Sequence, residues 1–250
     1  MNFYPIFKRE LYSYFVSPIF YGVLSIFLLL SGYFFFTDLS FYDMINFRGN
    51  LNPVEGMWQR YFNDLRFVMM LLMPLVTMRS LSEEKKLGTF ELITSYPVRD
   101  IEIVTGKYLA SLVVMLIMIG ATLLDLAFWG YLWGLQGMGP LVAGYCGLLL
   151  LGCALIACGI FISSLTESQA VAGMATLGVF IFFWFLTWNE MMAADSVIRV
   201  LVRFSLFDRI QGFFRGVIDS KDVVFFLLFT WVFLYLTLRV MESRSWRGQR

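Results

Sequence analysis

Long apolar segments alternate with short polar segments along this chain. The run from Ser17 to Phe36 contains no charged side chain, and at about 1.5 Å per residue it is long enough to cross a hydrocarbon core about 30 Å thick. Lys8 and Arg9 precede this run and no small-x-small cleavage motif follows it, so we predict an uncleaved first span. The apolar segments lack the two-residue alternation of membrane β-strands, which predicts helices.

Six membrane spans are predicted. The second is the least regular, because the uncharged part of it is too short to cross and the helix has to start near Trp58. That start brings Arg60 and Asp64 into the outer end of the span, where residues four apart are expected to pair on one helix face. The fold class is therefore an all-α integral membrane protein with one domain, residues 1–250, and spans at about 17–36, 58–78, 108–133, 141–165, 170–188 and 223–240.

A polar segment, residues 79–107, separates the second predicted span from the third. Ser80 followed three residues later by Glu83 is a capping-box pattern, and Gly88 is placed to end the short helix that follows. Thr89 can then cap a second short helix. Two short helices between spans predict a docking surface, and an ordinary solvated loop is the alternative.

The spacing in this segment resembles the cytoplasmic coupling loop of ABC-2 type transporter permeases. The stretch from Lys8 to Tyr21 is similar to the start of the short, gliding-motility-type branch of that family, and Phe207 to Val223 is similar to the outer segment before its last span. The resemblance to the coupling loop is carried by Glu83, Glu84, Gly88, Thr89, Glu91, Pro97, Gly106 and Lys107.

This resemblance implies the ABC-2 exporter fold, with six transmembrane helices, a cytoplasmic coupling-helix loop and an outer amphipathic segment before the last span. It also implies two permease copies or paralogues that form a dimer on cytoplasmic ABC ATPase subunits. Those subunits would bind ATP and Mg, so we expect this chain to bind no cofactor. An auxiliary periplasmic protein is a further candidate partner. The residues expected to contact the ATPase are Glu83, Glu84, Gly88, Thr89, Glu91 and Leu92.

Composition agrees with a membrane protein and narrows its chemistry. Only 15% of the residues are charged, whereas about a quarter are charged in soluble domains. The chain has no histidine, which excludes histidine-dependent nucleophile pairs and most zinc sites. Gly106-Lys107 is followed by Tyr108 and lacks the upstream glycine of a phosphate loop, so the chain is not expected to be an enzyme or its own ATPase. A net charge of +1 argues against nucleic acid as a partner.

The distribution of basic residues predicts the topology. With six spans, both termini and residues 79–107 lie on one side, and that side carries eleven of the 19 lysines and arginines. We therefore predict a multi-pass protein with both termini in the cytoplasm, and the family resemblance implies the bacterial cytoplasmic (inner) membrane. Residues 196–220 place apolar side chains between arginines, which indicates an amphipathic interfacial segment on the opposite side.

Asp125 lies about mid-way along the third predicted span, where an ionised side chain is costly unless it faces protein or water. Together with Arg60 and Asp64 it is a candidate for a translocation pathway. Hydrogen bonding to neighbours with hydroxyl groups, such as Thr122, is the alternative, and we favour that structural role.

Small residues at four-residue spacing predict close helix packing in lipid. Ala143 and Gly147 form one such pair, and Ala154 and Cys158 form another. We expect them to pack within the chain, and we expect no disulfide because all the cysteines lie in one apolar stretch.

Two functions fit these observations. The first is the permease subunit of an ATP-driven ABC-2 exporter. The second is a permease-like membrane anchor that passes ATPase work to a periplasmic or motility partner without moving a solute. Both would keep the polar segment, so the sequence pattern does not separate them.

Overall fold

The computed structural model describes residues 3–46, 54–88, 99–134, 138–188 and 205–245. All regular secondary structure in those residues is helical, as predicted. A short π-helix, Val54–Trp58, leads into the second span. The α-helices, in chain order, are α1 Phe3–Val16, α2 Pro18–Asn46, α3 Gln59–Thr77, α4 Ser82–Lys86, α5 Asp100–Ala121, α6 Leu123–Trp133, α7 Met138–Leu165, α8 Gln169–Trp188, α9 Leu206–Arg209, α10 Gln211–Phe214 and α11 Ser220–Ser245.

Five helical segments of the described chain are long and apolar enough to cross a membrane. They correspond to the first four predicted spans and to the last. The apolar part of α8, Gln169–Phe185, is shorter than these segments, so its crossing stays a prediction. The five segments are Pro18–Ile45, Gly56–Lys86, Asp100–Leu132, Met138–Leu165 and Ser220–Ser243.

The polar segment between the second and third spans is shorter in the structure than predicted. Helix α5 begins at Asp100, so Gly106 and Lys107 lie inside a helix. This extension is possible because the first turns of α5 pack against α1, and contact with protein compensates for their polarity. A break at Thr122 then separates α5 from α6 within one crossing segment.

Helix α7 is the centre of the bundle. It packs against α3, α5, α8 and α11. Of the 18 consecutive residues that form its most apolar stretch, 72% are buried inside the chain, compared with 11% for the corresponding stretch of α11. Close approach needs glycine here, because a Cβ on Gly144 would overlap the Phe62 ring and a Cβ on Gly147 would lie 2.7 Å from Phe213 Cβ.

The expectation that small residues pack within the chain is confirmed for both pairs named above. The four residues of these pairs are all buried on α7. Their small side chains let neighbouring helices approach closely. The three cysteines are free, as expected.

The described part of the outer segment, residues 205–219, is inserted into the bundle. Helices α9 and α10 bury Phe207, Phe213 and Phe214, and Phe214 stacks on Phe62 with ring centroids 5.5 Å apart. The buried apolar side chains of the segment therefore contact protein, whereas Val217 and Ile218 are exposed. A position of the segment at the membrane interface stays a prediction. Periodicity alone does not distinguish these two environments. The arginines at positions 199 and 203 lie outside the described residues.

Candidate functional site

The chain leaves α3 through a tight turn and forms the short helix α4. Gly88 follows α4 with a φ of 68°, so it ends this helix as predicted. The predicted capping box of Ser80 and Glu83 is not formed, because the N-cap residue is Leu81 and no local side chain caps the helix. The other residues expected to contact an ATPase, Thr89, Glu91 and Leu92, lie outside the described residues.

A serine on α7 caps α4 in place of the capping box. Ser163 Oγ accepts hydrogen bonds from the backbone N–H groups of Leu81 and Ser82, both at 3.1 Å. The same hydroxyl donates to the Met78 carbonyl at 3.2 Å. Next along α4, the Lys85 ammonium donates to the Ser164 carbonyl. The start of the polar segment is therefore fixed to the central helix of the bundle.

Lys107 on α5 is the centre of a buried ionic cluster. Its side chain is 1% exposed, and its ammonium lies 3.0 Å from Glu10 Oε1 and 2.9 Å from Glu84 Oε1. It also donates to the Ser80 carbonyl at 2.7 Å. An ammonium has three N–H groups, and each of them has an acceptor here.

Arg9 completes this cluster from α1. Its Nη2 lies 2.9 Å from Glu10 Oε1 and 2.6 Å from Glu84 Oε1. Burial lowers the pKa of the Arg9 guanidinium, but the hydrogen bonds and charges of Glu10 and Glu84 outweigh it and raise that pKa above its ordinary value. Two cations and two carboxylates are thus balanced, and they join α1, α4 and α5.

Arg79 holds the neighbouring glutamate. Its Nε and Nη2 donate to the two carboxylate oxygens of Glu83 at 2.9 and 3.0 Å. Its Nη1 donates to Ser17 Oγ at 2.6 Å, just before α2 begins. This bidentate geometry orients both side chains and links the turn to the start of the first span.

Tyr14 adds a neutral contact beside these ions. Its hydroxyl donates to the Val76 carbonyl at 3.0 Å and lies 3.0 Å from Ser111 Oγ. Burial raises the pKa of Tyr14 to about 12, so this hydroxyl stays protonated at neutral pH and remains a donor. Tyr14 therefore connects α1 to α3 and α5.

Glu83 and Glu84 are thus engaged within the chain, and their contact with an ATPase stays a prediction. The Glu84 side chain is 11% exposed and that of Glu83 is 32% exposed, whereas residues 86–88 are exposed. The sequence pattern indicated no role for Glu10 or Ser163. The available signals were the charges of Glu10 and Lys107, each of which lies shortly before a long apolar run.

A second polar group lies at the opposite end of α3. Arg60 Nε is 3.4 Å from Asp38 Oδ1, and its guanidinium lies 3.8 Å from the centroid of the Phe41 ring. The expected ion pair of Arg60 with Asp64 is not formed in the described structure. Asp38 was missed because it follows the uncharged run that defined the first span, whereas α2 continues beyond it.

Asp125 lies at this same end of the bundle. Tyr61, which is fully buried in the first turn of α3, donates to Asp125 Oδ2 at 2.5 Å. The predicted mid-span position is wrong, because the third crossing segment starts at Asp100 and Asp125 is nearer its far end. The predicted partner is also wrong, since Thr122 Oγ1 donates to the Ile119 carbonyl and the Tyr145 hydroxyl.

The comparisons with known proteins agree with this architecture. A family model described as ABC-2 family transporter protein matches residues 4–241. That range includes α1, the ionic cluster around Lys107, the outer segment and most of α11. A search of curated proteins found no match. Membership of the gliding-motility-type branch stays a prediction. The chain therefore belongs to the ABC-2 family of transporter proteins, as a multi-pass membrane component.

Proposed function

We propose that this chain is the permease subunit of an ATP-driven ABC-2 exporter and that it couples to a separate ATPase through the segment that starts at α4. Membership of the ABC-2 family supports this, because such permeases normally work with an ATPase subunit. The partner would bind ATP and Mg, and two permeases would form the membrane part of the complex. In this proposal α4 and both termini face the cytoplasm of a bacterium.

The observation that carries the proposal is the way α4 is attached to the membrane helices. Glu84 is paired with Lys107 of α5 and with Arg9 of α1. At the other side of α4, Ser163 of α7 holds the backbone of Leu81 and Ser82. Short as it is, α4 is therefore tied to three separate helices.

Such attachment would let a force at the polar segment reach the spans. A loop that is free to bend absorbs the movement of its partner, whereas α4 cannot shift alone without separating buried ion pairs. Breaking a buried ion pair by removing one partner costs about 3–5 kcal/mol. Moving α1 and α5 together with α4 would avoid that cost, which supports a role in transmission.

The exposed tip of the turn provides a contact surface. Leu87 is 67% exposed and follows α4 directly, and Lys86 and Gly88 beside it are exposed too. An exposed leucine next to a basic side chain suits a shallow groove on a partner protein. Charge reversal at Glu84 would not test this contact, because it would also disrupt the cluster around Lys107.

The experiment is to express the chain with its ATPase partner and to compare Leu87→Ala with Leu132→Ala. Leu132 is 48% exposed and lies at the far end of α6, so it is a matched control outside the proposed surface. We expect Leu87→Ala to reduce copurification of the ATPase and the stimulation of its turnover, and Leu132→Ala to leave both unchanged. Equal behaviour of the two variants would refute docking at this tip.

A transport assay separates the two candidate functions. The same complex in sealed vesicles should move an amphiphilic solute in an ATP-dependent manner if the chain is an exporter. ATP turnover that depends on Leu87, combined with no movement of any solute tested and with copurification of a periplasmic protein, would favour the anchor function.

A further inference from the structure

A groove opens beside the junction of α1 and α2 and has a volume of about 550 Å³. This volume is within the range of small-molecule sites, roughly 300–1,000 Å³. Its lining has a polar part, formed by Arg9, Tyr12, Ser13, Ser17 and Arg79. It also has an apolar part, formed by Val16, Pro18 and Ile19.

The polar part of the lining presents positive charge outward. The Arg9 side chain is 56% exposed, whereas its partners Glu10 and Glu84 are 14% and 11% exposed. Only Nη2 of Arg9 bonds to these carboxylates, so its Nε–H and Nη1 groups make no hydrogen bond within the described chain. The carboxylates thus face the interior while guanidinium N–H groups face the groove, which suits an anion.

A buried hydroxyl without a partner lies next to the polar part of the lining. Ser80 is 6% exposed, and its Oγ makes no hydrogen bond in the described structure. It lines a cavity of about 40 Å³ that shares Ser13, Ser17 and Arg79 with the groove. Buried polar groups without a partner are rare, so this hydroxyl is available to a polar group that reaches the cavity from the groove. Glu10 and Glu83 also line this cavity, so that group is not the anion itself.

The apolar part of the lining lies where the first crossing segment begins. That segment starts at Pro18, and Val16 and Ile19 on either side of this start are 61% and 42% exposed. A ligand that covers the whole lining must therefore combine an anionic group with an apolar part. A water-soluble anion would leave the apolar side chains uncovered.

We infer that this groove binds the phosphate headgroup of an anionic phospholipid. The free N–H groups of Arg9 would bind the phosphate oxygens. Arg79, whose N–H groups are largely used by Glu83 and Ser17, would add positive charge. The first part of an acyl chain would lie along Val16 and Ile19. This inference is independent of ATPase coupling, since it needs only the junction of α1 and α2 at a membrane surface.

The test is native mass spectrometry of the full chain in detergent with equal amounts of phosphatidylglycerol and phosphatidylcholine. Both lipids carry a phosphate, but phosphatidylcholine also carries a quaternary ammonium that the positive charges of Arg9 and Arg79 would repel, so we expect phosphatidylglycerol to be retained preferentially. Ser13→Phe should abolish the preference, because it fills the groove and leaves every ion pair in place. Arg9→Gln should reduce it about fivefold, as expected for loss of one cation near a membrane surface. Lys8→Gln is the control, since Lys8 is exposed on the same helix and does not line the groove.

Three results would overturn the inference. The first is equal retention of the two lipids by the unchanged chain. The second is an unchanged preference in Ser13→Phe, which would place the lipid elsewhere. The third is complete displacement of phosphatidylglycerol by millimolar inorganic phosphate, which would identify a site for free phosphate. Thermal unfolding of Arg9→Gln distinguishes a lost contact from a lost fold, and Ser13→Phe tests the groove in either case.

Discussion

Glu84 and Lys107 form a buried ion pair, with 2.9 Å between Oε1 and Nζ, that joins the short helix α4 to the start of α5. Both residues belong to the spacing that resembles the coupling loop of ABC-2 permeases. One part of that spacing therefore serves the internal structure of the segment. The exposed tip beyond it, at Leu87, is open to a partner.

Lys107→Met is expected to destabilise the chain by about 3–5 kcal/mol, because Glu10 and Glu84 would remain buried with Arg9 as their shared cation. Thermal unfolding of the purified chain in detergent measures this effect. Lys86→Met is the matched control, since Lys86 is exposed on the same short helix as Glu84. Adding Glu84→Gln to Lys107→Met should restore part of the loss. Equal midpoints for Lys107→Met and Lys86→Met would contradict the cluster.

Ser163→Ala is expected to cost about 1–3 kcal/mol, because two buried backbone N–H groups would lose their acceptor. Hydrogen exchange at Leu81 and Ser82 should become faster, since Ser163 Oγ is the acceptor for both. Ser243→Ala is the control, as Ser243 is exposed and donates, within the described residues, to the Val240 carbonyl of its own helix. Unchanged exchange at positions 81 and 82 would show that α4 is held in another way.

Asp125→Asn is expected to fold and to keep near-normal activity, because the amide oxygen can accept the same hydrogen bond from Tyr61. Tyr61→Phe should be less stable, since it leaves the Asp125 carboxylate without this donor. Tyr131→Phe is the control, on the same helix as Asp125 and 87% exposed. Unfolding midpoints and transport measured together decide the outcome. A folded Asp125→Asn complex without transport would place Asp125 on the translocation pathway.

Gly144→Ala is expected to destabilise the bundle by about 1–3 kcal/mol, because the added methyl would overlap the Phe62 ring. Gly139→Ala on the same helix is the control, since a Cβ there meets no atom within 4 Å. Thermal unfolding of both variants gives the comparison. If both variants unfold at the temperature of the unchanged chain, α7 is not packed as closely as the structure shows.

Lys86→Cys and Val217→Cys test the topology. Both positions are exposed, whereas Ser82 is buried and would be labelled poorly wherever it lies. In a chain whose native cysteines are replaced by alanine, impermeant maleimide added to intact cells should label position 217. Position 86 should be labelled only after the membrane is permeabilised. The reverse pattern would place α4 outside the cytoplasm.

The local pattern of the sequence was sufficient to identify the helical membrane architecture. Long, largely apolar stretches located five crossing segments, because apolar length is a property of consecutive residues. The end of α4 at Gly88 was also predicted, since a glycine with positive φ is a local requirement. The spacing in the polar segment indicated the family, and the match to residues 4–241 confirmed it.

Only the tertiary structure decided which side chains meet. Lys107 and Glu10 are 97 residues apart in the chain, and Ser163 caps a helix at Leu81, 82 residues before it. These contacts depend on how α1, α5 and α7 rotate and cross, which periodicity does not specify. The same reason explains the errors at the other end of α3, where Arg60 met Asp38 and Asp125 met Tyr61. Local patterns set where helices begin and end, whereas their packing selects the partner of each buried charge.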